Sequence, residues 1–247
     1  MSLNQLQDLQ ATESVGDWVA ADFRLANVFT KYGIDFCCGG DVPVSQACAE
    51  KGISVETLLR DVQTAQATAA VGEQYNDWSI DFLSDYIVNQ FHAYTRRMLP
   101  QIVEYAGAVA NAHGAQHPET ITIAALLPPL AEEMLDHMDS EEELLYPYIK
   151  QLVQQRATGS PLKPPAFGSA AILIEEMDRE HEETGDVLEE LVELSDGFTV
   201  PDDACNTYRA LYGFLTEFEA TTKKHIHLEN NILFPKAIRL EKQLAVA

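Results

Sequence analysis

The sequence predicts an all-α protein, an antiparallel four-helix bundle preceded by a small helical N-terminal domain. Three observations predict it. Four long stretches, about 79–112, 121–155, 168–195 and 203–242, carry apolar residues at three- and four-residue steps. No stretch alternates apolar and polar residues as a half-buried strand does. The second pair of stretches repeats the first at an offset of 88 to 89 residues. Four helices with short connections favour antiparallel neighbours.

The division of the chain follows from breaks in composition. At 247 residues it holds one large domain or two unequal ones. An Ala/Gln/Thr-rich segment, Thr64–Asp77, separates residues 1–68 from the bundle at 79–247. A second break, Arg156–Gly168, holds Pro161, Pro164 and Pro165 and falls between the second and third bundle helices.

In the N-terminal piece, Ser14–Tyr32 reads as one helix with Trp18, Val19, Phe23, Leu25, Val28 and Phe29 inward, and Gly33 stops it. A compact loop over Ile34–Asp41 carries Cys37, Cys38, Gly39 and Gly40. Ser45–Lys51 and Ser54–Val62 each open with a serine suited to cap a helix. So small a piece buries little core by itself, so docking or homodimer formation is expected. In the second bundle helix, Leu126, Leu130, Met134, His137, Glu141, Leu144, Tyr148 and Leu152 share one face. Asp136, Asp139, Glu142, Glu143 and Lys150 fall on the others.

Composition excludes several classes of function. The net charge of −23 repels phosphate backbones and anionic lipid, which argues against nucleic acid and membrane partners, whereas metal cations are attracted. The longest apolar stretch, Ile123–Ala131, contains Pro128 and Pro129 and is far short of the roughly twenty residues that span a bilayer. Met1–Ser14 is polar and shows no secretory signal. Cys37, Cys38, Cys48 and Cys205 make no disulfide framework, which points to the reducing cytoplasm.

The repeat duplicates metal-ligand residue types. His92 and His181 are 89 residues apart, while His137/His225 and Glu141/Glu229 are each 88 apart. Glu141–Pro147 and Glu229–Pro235 both read Glu-x-x-aliphatic-Leu-aromatic-Pro. Each His-x-x-x-Glu pair projects from neighbouring turns of one helix face. Each carboxylate has two oxygens and can bridge two cations, and each imidazole offers one nitrogen. Four imidazoles and two carboxylates therefore suit two metal ions, with room for a solvent-derived bridge and an exchangeable position. Such a set suits iron, with manganese and zinc as competitors. His227 lies two residues from His225 and is expected at the surface, as are His113 and His117 in a polar loop.

The order His, His-x-x-x-Glu, His, His-x-x-x-Glu resembles the hemerythrin-like bundle. The segment His225-Ile-His-Leu-Glu229-Asn-Asn-Ile-Leu-Phe-Pro235, with Tyr32-Gly-Ile-Asp-Phe-Cys37-Cys38-Gly39-Gly40, resembles the iron–sulfur cluster repair proteins of the repair-of-iron-centres family. The resemblance covers residues 14 to 240. It implies a cytoplasmic di-iron protein that restores clusters damaged by nitric oxide or oxidants, by donating iron to damaged or apo iron–sulfur proteins. Its iron ligands would fall on His92, His137, Glu141, His181, His225 and Glu229. Oxygen or nitric oxide would be its small ligands.

Two local features refine this expectation. Oxygen carriers resemble a pattern with a further histidine one turn after the third-helix ligand, and that place holds Gly185 here. A side chain there is expected to face the metals, so glycine leaves the site less saturated, as labile iron requires. Adjacent cysteines have Cα atoms about 3.8 Å apart, too close for an unstrained disulfide. Cys37 and Cys38 are therefore read as redox or partner-contacting thiols, able to exchange, bind a metal or crosslink two subunits, with two buried turn residues as the alternative. Cys48 and Cys205 are read as structural. Two other functions compete: a di-iron enzyme reducing nitric oxide or peroxide, and an oxygen- or redox-sensing module.

Overall fold

The computed structural model describes residues 11–68 and 74–246. Most of the polar N-terminal tail and part of the Thr64–Asp77 break lie outside the described residues. The described residues form helices and one isolated β-bridge, Ser14 to Pro43.

The N-terminal piece contains α1 (Val15–Ala21), a 3₁₀ turn (Phe23–Leu25), α2 (Ala26–Lys31), α3 (Val44–Glu50) and α4 (Val55–Thr68). The single helix expected over Ser14–Tyr32 is broken at Asp22, which is extended (φ −152°). Its carboxylate accepts the Arg24 N–H at 3.1 Å and pairs with the guanidinium at 2.6 Å, a local bond that competes with the helix ladder. Ser14 caps α1 by accepting from the Asp17 N–H at 3.0 Å, and Ser54 caps α4 through Thr57 at 3.2 Å. Ser45 is not a cap, because α3 begins one residue earlier, after Pro43. Gly33 ends α2 with φ +62°, a left-handed conformation glycine adopts freely.

The bundle consists of α5 (Ile80–Ile87) running into α6 (Ala93–His113), α7 (Glu119–Ser140) into α8 (Tyr146–Thr158), α9 (Ala170–Leu194), and α10 (Asn206–Leu228) into α11 (Phe234–Ala245). Successive helices pack side by side, and the fourth closes on the first through α10 and α6. No helix among the described residues is long and apolar enough to cross a membrane. At one end a core forms around Leu83, Ile87, Leu145, Ile149, Leu233 and Phe234. At the other it forms around Leu99, Ile102, Leu127, Leu188, Leu215 and Phe218. At the first end the buried Glu241 accepts from Tyr148 Oη at 2.6 Å and from the first N–H of α9 at 3.1 Å, tying three helices together.

The N-terminal core gathers Trp18, Val19, Phe29, Phe36 and Leu58, and it takes in Ile226 from α10. The small piece therefore completes its core by docking on the bundle. Asn231 sits at this seam, donating from Nδ2 to the carbonyls of Phe36 and Cys37, each at 3.3 Å. Gly40 makes the approach possible, since a Cβ there would lie 2.8 Å from the Phe36 carbonyl and 2.9 Å from Asn231 Oδ1.

Candidate metal centre

Between the two apolar ends of the bundle lies one polar layer. His92, His137, Glu141, His181, His225 and Glu229 are all buried in it, both glutamates completely. Three of the four ligand-bearing helices widen there into a π turn, at Val88–His92, Glu141–Leu145 and Glu229–Leu233. The helix carrying His181 runs through without one. Such turns accommodate one extra residue and recur at functional sites.

The extra residue shifts the inward position within the turn, while Tyr148 and Leu152 beyond it stay buried as helical spacing expects. Leu144, expected on the inner face, is 46% exposed, and Leu145 is fully buried in its place. For the same reason Glu142 does not simply face solvent. It accepts from His92 Nδ1 at 2.8 Å and is held by Arg96, also at 2.8 Å.

The four imidazoles meet in two pairs through their Nε2 atoms. His92 faces His225 at 3.2 Å, and His137 faces His181 at 3.0 Å. Glu141 turns Oε2 to His92 (3.3 Å) and Oε1 to His137 (3.5 Å), while Glu229 presents Oε2 to both His225 (3.1 Å) and His181 (3.3 Å). His137 Nδ1 donates to Glu180 at 2.6 Å, and His181 Nδ1 to Asn230 Oδ1 at 2.7 Å. In the neutral rings, with Nδ1 protonated and bonded outward, the inward Nε2 of His92, His137 and His181 offers a lone pair.

This arrangement is unfinished as a protein-only network. Both oxygens of Glu141 and Oε2 of Glu229 are buried with no hydrogen-bond donor, although buried polar atoms are almost always satisfied. Two clusters of donor atoms result, His92–Glu141–His225–Glu229 and His137–Glu141–His181–Glu229, each compact enough for one ion. Burial opposes charge on His92 and His137, but the neighbouring carboxylates, led by Glu141, outweigh it and raise both pKa values. At His225 burial wins, and its pKa falls. Glu229 stays well below the usual carboxylate range despite burial, because His225 and His181 favour its charge. A cation would satisfy the orphaned oxygens and the converging lone pairs at once, so the residues fit metal.

Comparison with known proteins agrees. The hemerythrin HHE cation binding domain matches residues 83–237, and ScdA_N, a domain of unknown function (DUF542), matches 11–66. The iron–sulfur cluster repair protein YtfE of Yersinia pestis (strain Pestoides F) is 33% identical over 229 residues, covering 93% of this chain and 98% of that protein. YtfE of Yersinia pseudotuberculosis serotype O:1b (strain IP 31758) gives the same identity and coverage. The chain belongs to the iron–sulfur cluster repair family.

Several expectations for this family member are corrected by its structure. His227 is not at the surface. It is fully buried under the N-terminal piece, its Nδ1 3.3 Å from the Phe36 carbonyl and its ring against Phe23 and Phe36. Burial drives its pKa down to about 4. A second core, rather than water, covers the helix face that turns away from the ligands. His117 does pair with Glu119 and Asp203 in its loop, whereas His113 is the last residue of α6 and packs on Tyr208. Cys205 is exposed at the start of α10, where the Tyr208 backbone N–H and His113 lower its pKa to about 7. Cys48, read as structural, is buried.

Gly185 does not face the ligand layer. A Cβ there would lie 3.1 Å from Cys38 Sγ, so the missing side chain makes room for the N-terminal loop. The Cys38 thiol donates to the His181 carbonyl at 3.2 Å, and the Cys37 thiol donates to Asp35 at 3.1 Å. The two sulfurs stand 3.8 Å apart as free thiols. The Cys38 thiol, burial and Asp35 all hold the Cys37 pKa well above its ordinary value. A cavity of about 510 Å³ opens on this pair, lined also by Asp186 and Lys223.

Proposed function

We propose that this protein repairs iron–sulfur clusters, the activity its relatives are named for, by donating iron from a centre of two ions. The ligands are His92, His137, Glu141, His181, His225 and Glu229. The observation that carries this reading is the trio of buried, unsatisfied carboxylate oxygens set among imidazole nitrogens that converge in two pairs. His92 and His225 serve one position and His137 and His181 the other, and both glutamates reach the two positions. Imidazole with carboxylate favours iron over soft thiophilic metals. Bound iron supplies redox chemistry and exchangeable coordination for nitric oxide or oxygen. The chain itself fixes three of the rings, His92, His137 and His181, through their outer hydrogen bonds and sets the layer between two apolar cores.

The two pieces divide the work, residues 79–247 holding the metal and residues 1–68 presenting Cys37 and Cys38. The open cavity at the thiols, directly behind the His181 backbone, favours this face as the contact with a damaged or apo iron–sulfur protein in the cytoplasm. Metal analysis of protein made with ample iron is expected to return two ions per chain. His137→Ala should lower the occupancy of both positions, because Glu141 and Glu229 serve the pair. Iron transfer to an apo-cluster protein should fall when Cys37 and Cys38 are both changed to serine, with metal content unchanged. One ion or none overturns the two-iron centre. Sustained turnover of nitric oxide or peroxide without iron transfer would move the protein to the enzymes.

A further inference from the structure

The internal repeat makes the outer partners of the four imidazoles directly comparable, and they are not alike. Offsets of 88 and 89 residues place Glu142 opposite Asn230 and Phe91 opposite Glu180. In the His137/His181 position both rings are braced. Glu180 accepts from His137 at 2.6 Å, with Arg179 no nearer to its carboxylate than 3.8 Å, and Asn230 accepts from His181 at 2.7 Å. In the His92/His225 position the bracing is weaker on both sides. The Glu142 oxygen that accepts from His92 is shared with Arg96. Phe91 stands at the repeat position of Glu180, carries no acceptor and offers His225 a stacked ring, 5.5 Å between centroids at 11°.

An imidazole whose outer N–H meets an anionic acceptor is a stronger and better oriented ligand, and loss of such a partner costs about 10- to 100-fold in metal affinity. A guanidinium on the same carboxylate oxygen withdraws part of that benefit for His92. Phe91 withholds it from His225 altogether. We infer that the two metal positions are inequivalent, and that the ion between His92 and His225 is the one released first, with Phe91 and Glu180 as the positioning residues that set the order. The inference rests on the two-iron reading above. It assigns donation to one position and retention to the other, so that a bridging glutamate stays anchored when the first ion leaves.

The test is release of ferrous iron from the loaded full-length protein to an excess of a coloured chelator, with Mössbauer spectra of the ⁵⁷Fe-loaded protein before and midway. Two phases of one iron each are expected, with one quadrupole doublet lost ahead of the other. Glu180→Leu should speed the slow phase about 10- to 100-fold and leave the fast phase in place. Glu180→Gln keeps an acceptor and should restore most of the retention, a rescue that a merely structural role would not produce. Glu142→Leu should speed the fast phase alone. Both glutamates are partly exposed, so these variants do not open the core. Phe91→Gln should slow the fast phase. Release of both irons in a single phase, or a Glu142 variant acting on the slow phase, overturns the inference while leaving the two-iron centre standing. A protein that loads fewer than two irons refutes the centre itself.

Discussion

Truncating Leu145 to alanine tests the π turn that begins at Glu141. A continuous helix keeps Leu144 on the inner face, whereas the widened turn buries Leu145 completely and leaves Leu144 46% exposed. Loss of a buried leucine costs about 2–5 kcal/mol through lost transfer energy and the cavity left behind. Alanine and leucine are close in helix propensity, so the helix itself adds little to the change. With about 3 kcal/mol, and roughly 2–4 °C of Tm per kcal/mol for a chain of this size, Leu145→Ala should melt roughly 6–12 °C lower. Leu144→Ala should stay within about 0.5 kcal/mol, or roughly 2 °C. Thermal melts followed by far-UV circular dichroism suffice, each run with iron and after chelation because bound metal adds its own stabilisation. Equal losses in the two variants, or a greater loss for Leu144, would refute the shifted register and with it the orientation assigned to Glu141.

Gly185→His should not add a ligand. Its Cβ meets Cys38, so the variant is expected to loosen the N-terminal loop, read as faster alkylation of Cys37 with iron content unchanged. His227 carries a neutral ring in the folded protein with a pKa of about 4, and it takes up a proton below about 6.5 when unfolded. Its stabilising effect is therefore whole above pH 6.5 and is lost as pH falls toward 4, by up to about 3 kcal/mol. Denaturant melts of wild type and His227→Gln should converge over that window, and parallel curves would contradict this. Cys205, with its pKa near 7, should be alkylated by iodoacetamide with a midpoint near pH 7, ahead of Cys37 and Cys48 when sites are mapped by mass spectrometry.

The polar layer of four histidines and two glutamates was legible in the sequence because its information is local and doubled. A His-x-x-x-Glu pair defines one face of a helix, and an 88-residue repeat makes coincidence a poor explanation. Four helices and a separate N-terminal piece were legible for the same reason, since apolar steps of three and four persist over long stretches. What escaped depends on a single extra residue in a turn. Helical spacing assigns Leu144 inward and Glu142 outward, and the π turn reverses the one and bends the other back to His92. His227 escaped because a residue turned away from the ligands faces water only if nothing docks there. A signal was present at Glu142, Glu180 and Asn230. Each sits beside a ligand in sequence, and each is unlike its counterpart in the other half of the repeat.

Three consecutive residues of the last π turn point to three different parts of the molecule. Glu229 turns to the metal layer, Asn230 braces His181, and Asn231 grips the backbone of the cysteine loop at Phe36 and Cys37. The cysteine loop is thus seated in a fixed rotational phase about the helix axis, set by the same peptide units that aim the Glu229 carboxylate into the polar layer. Because a packed interior transmits strain, a substitution within Glu229–Leu233 is felt both at the polar layer and at the cysteine loop.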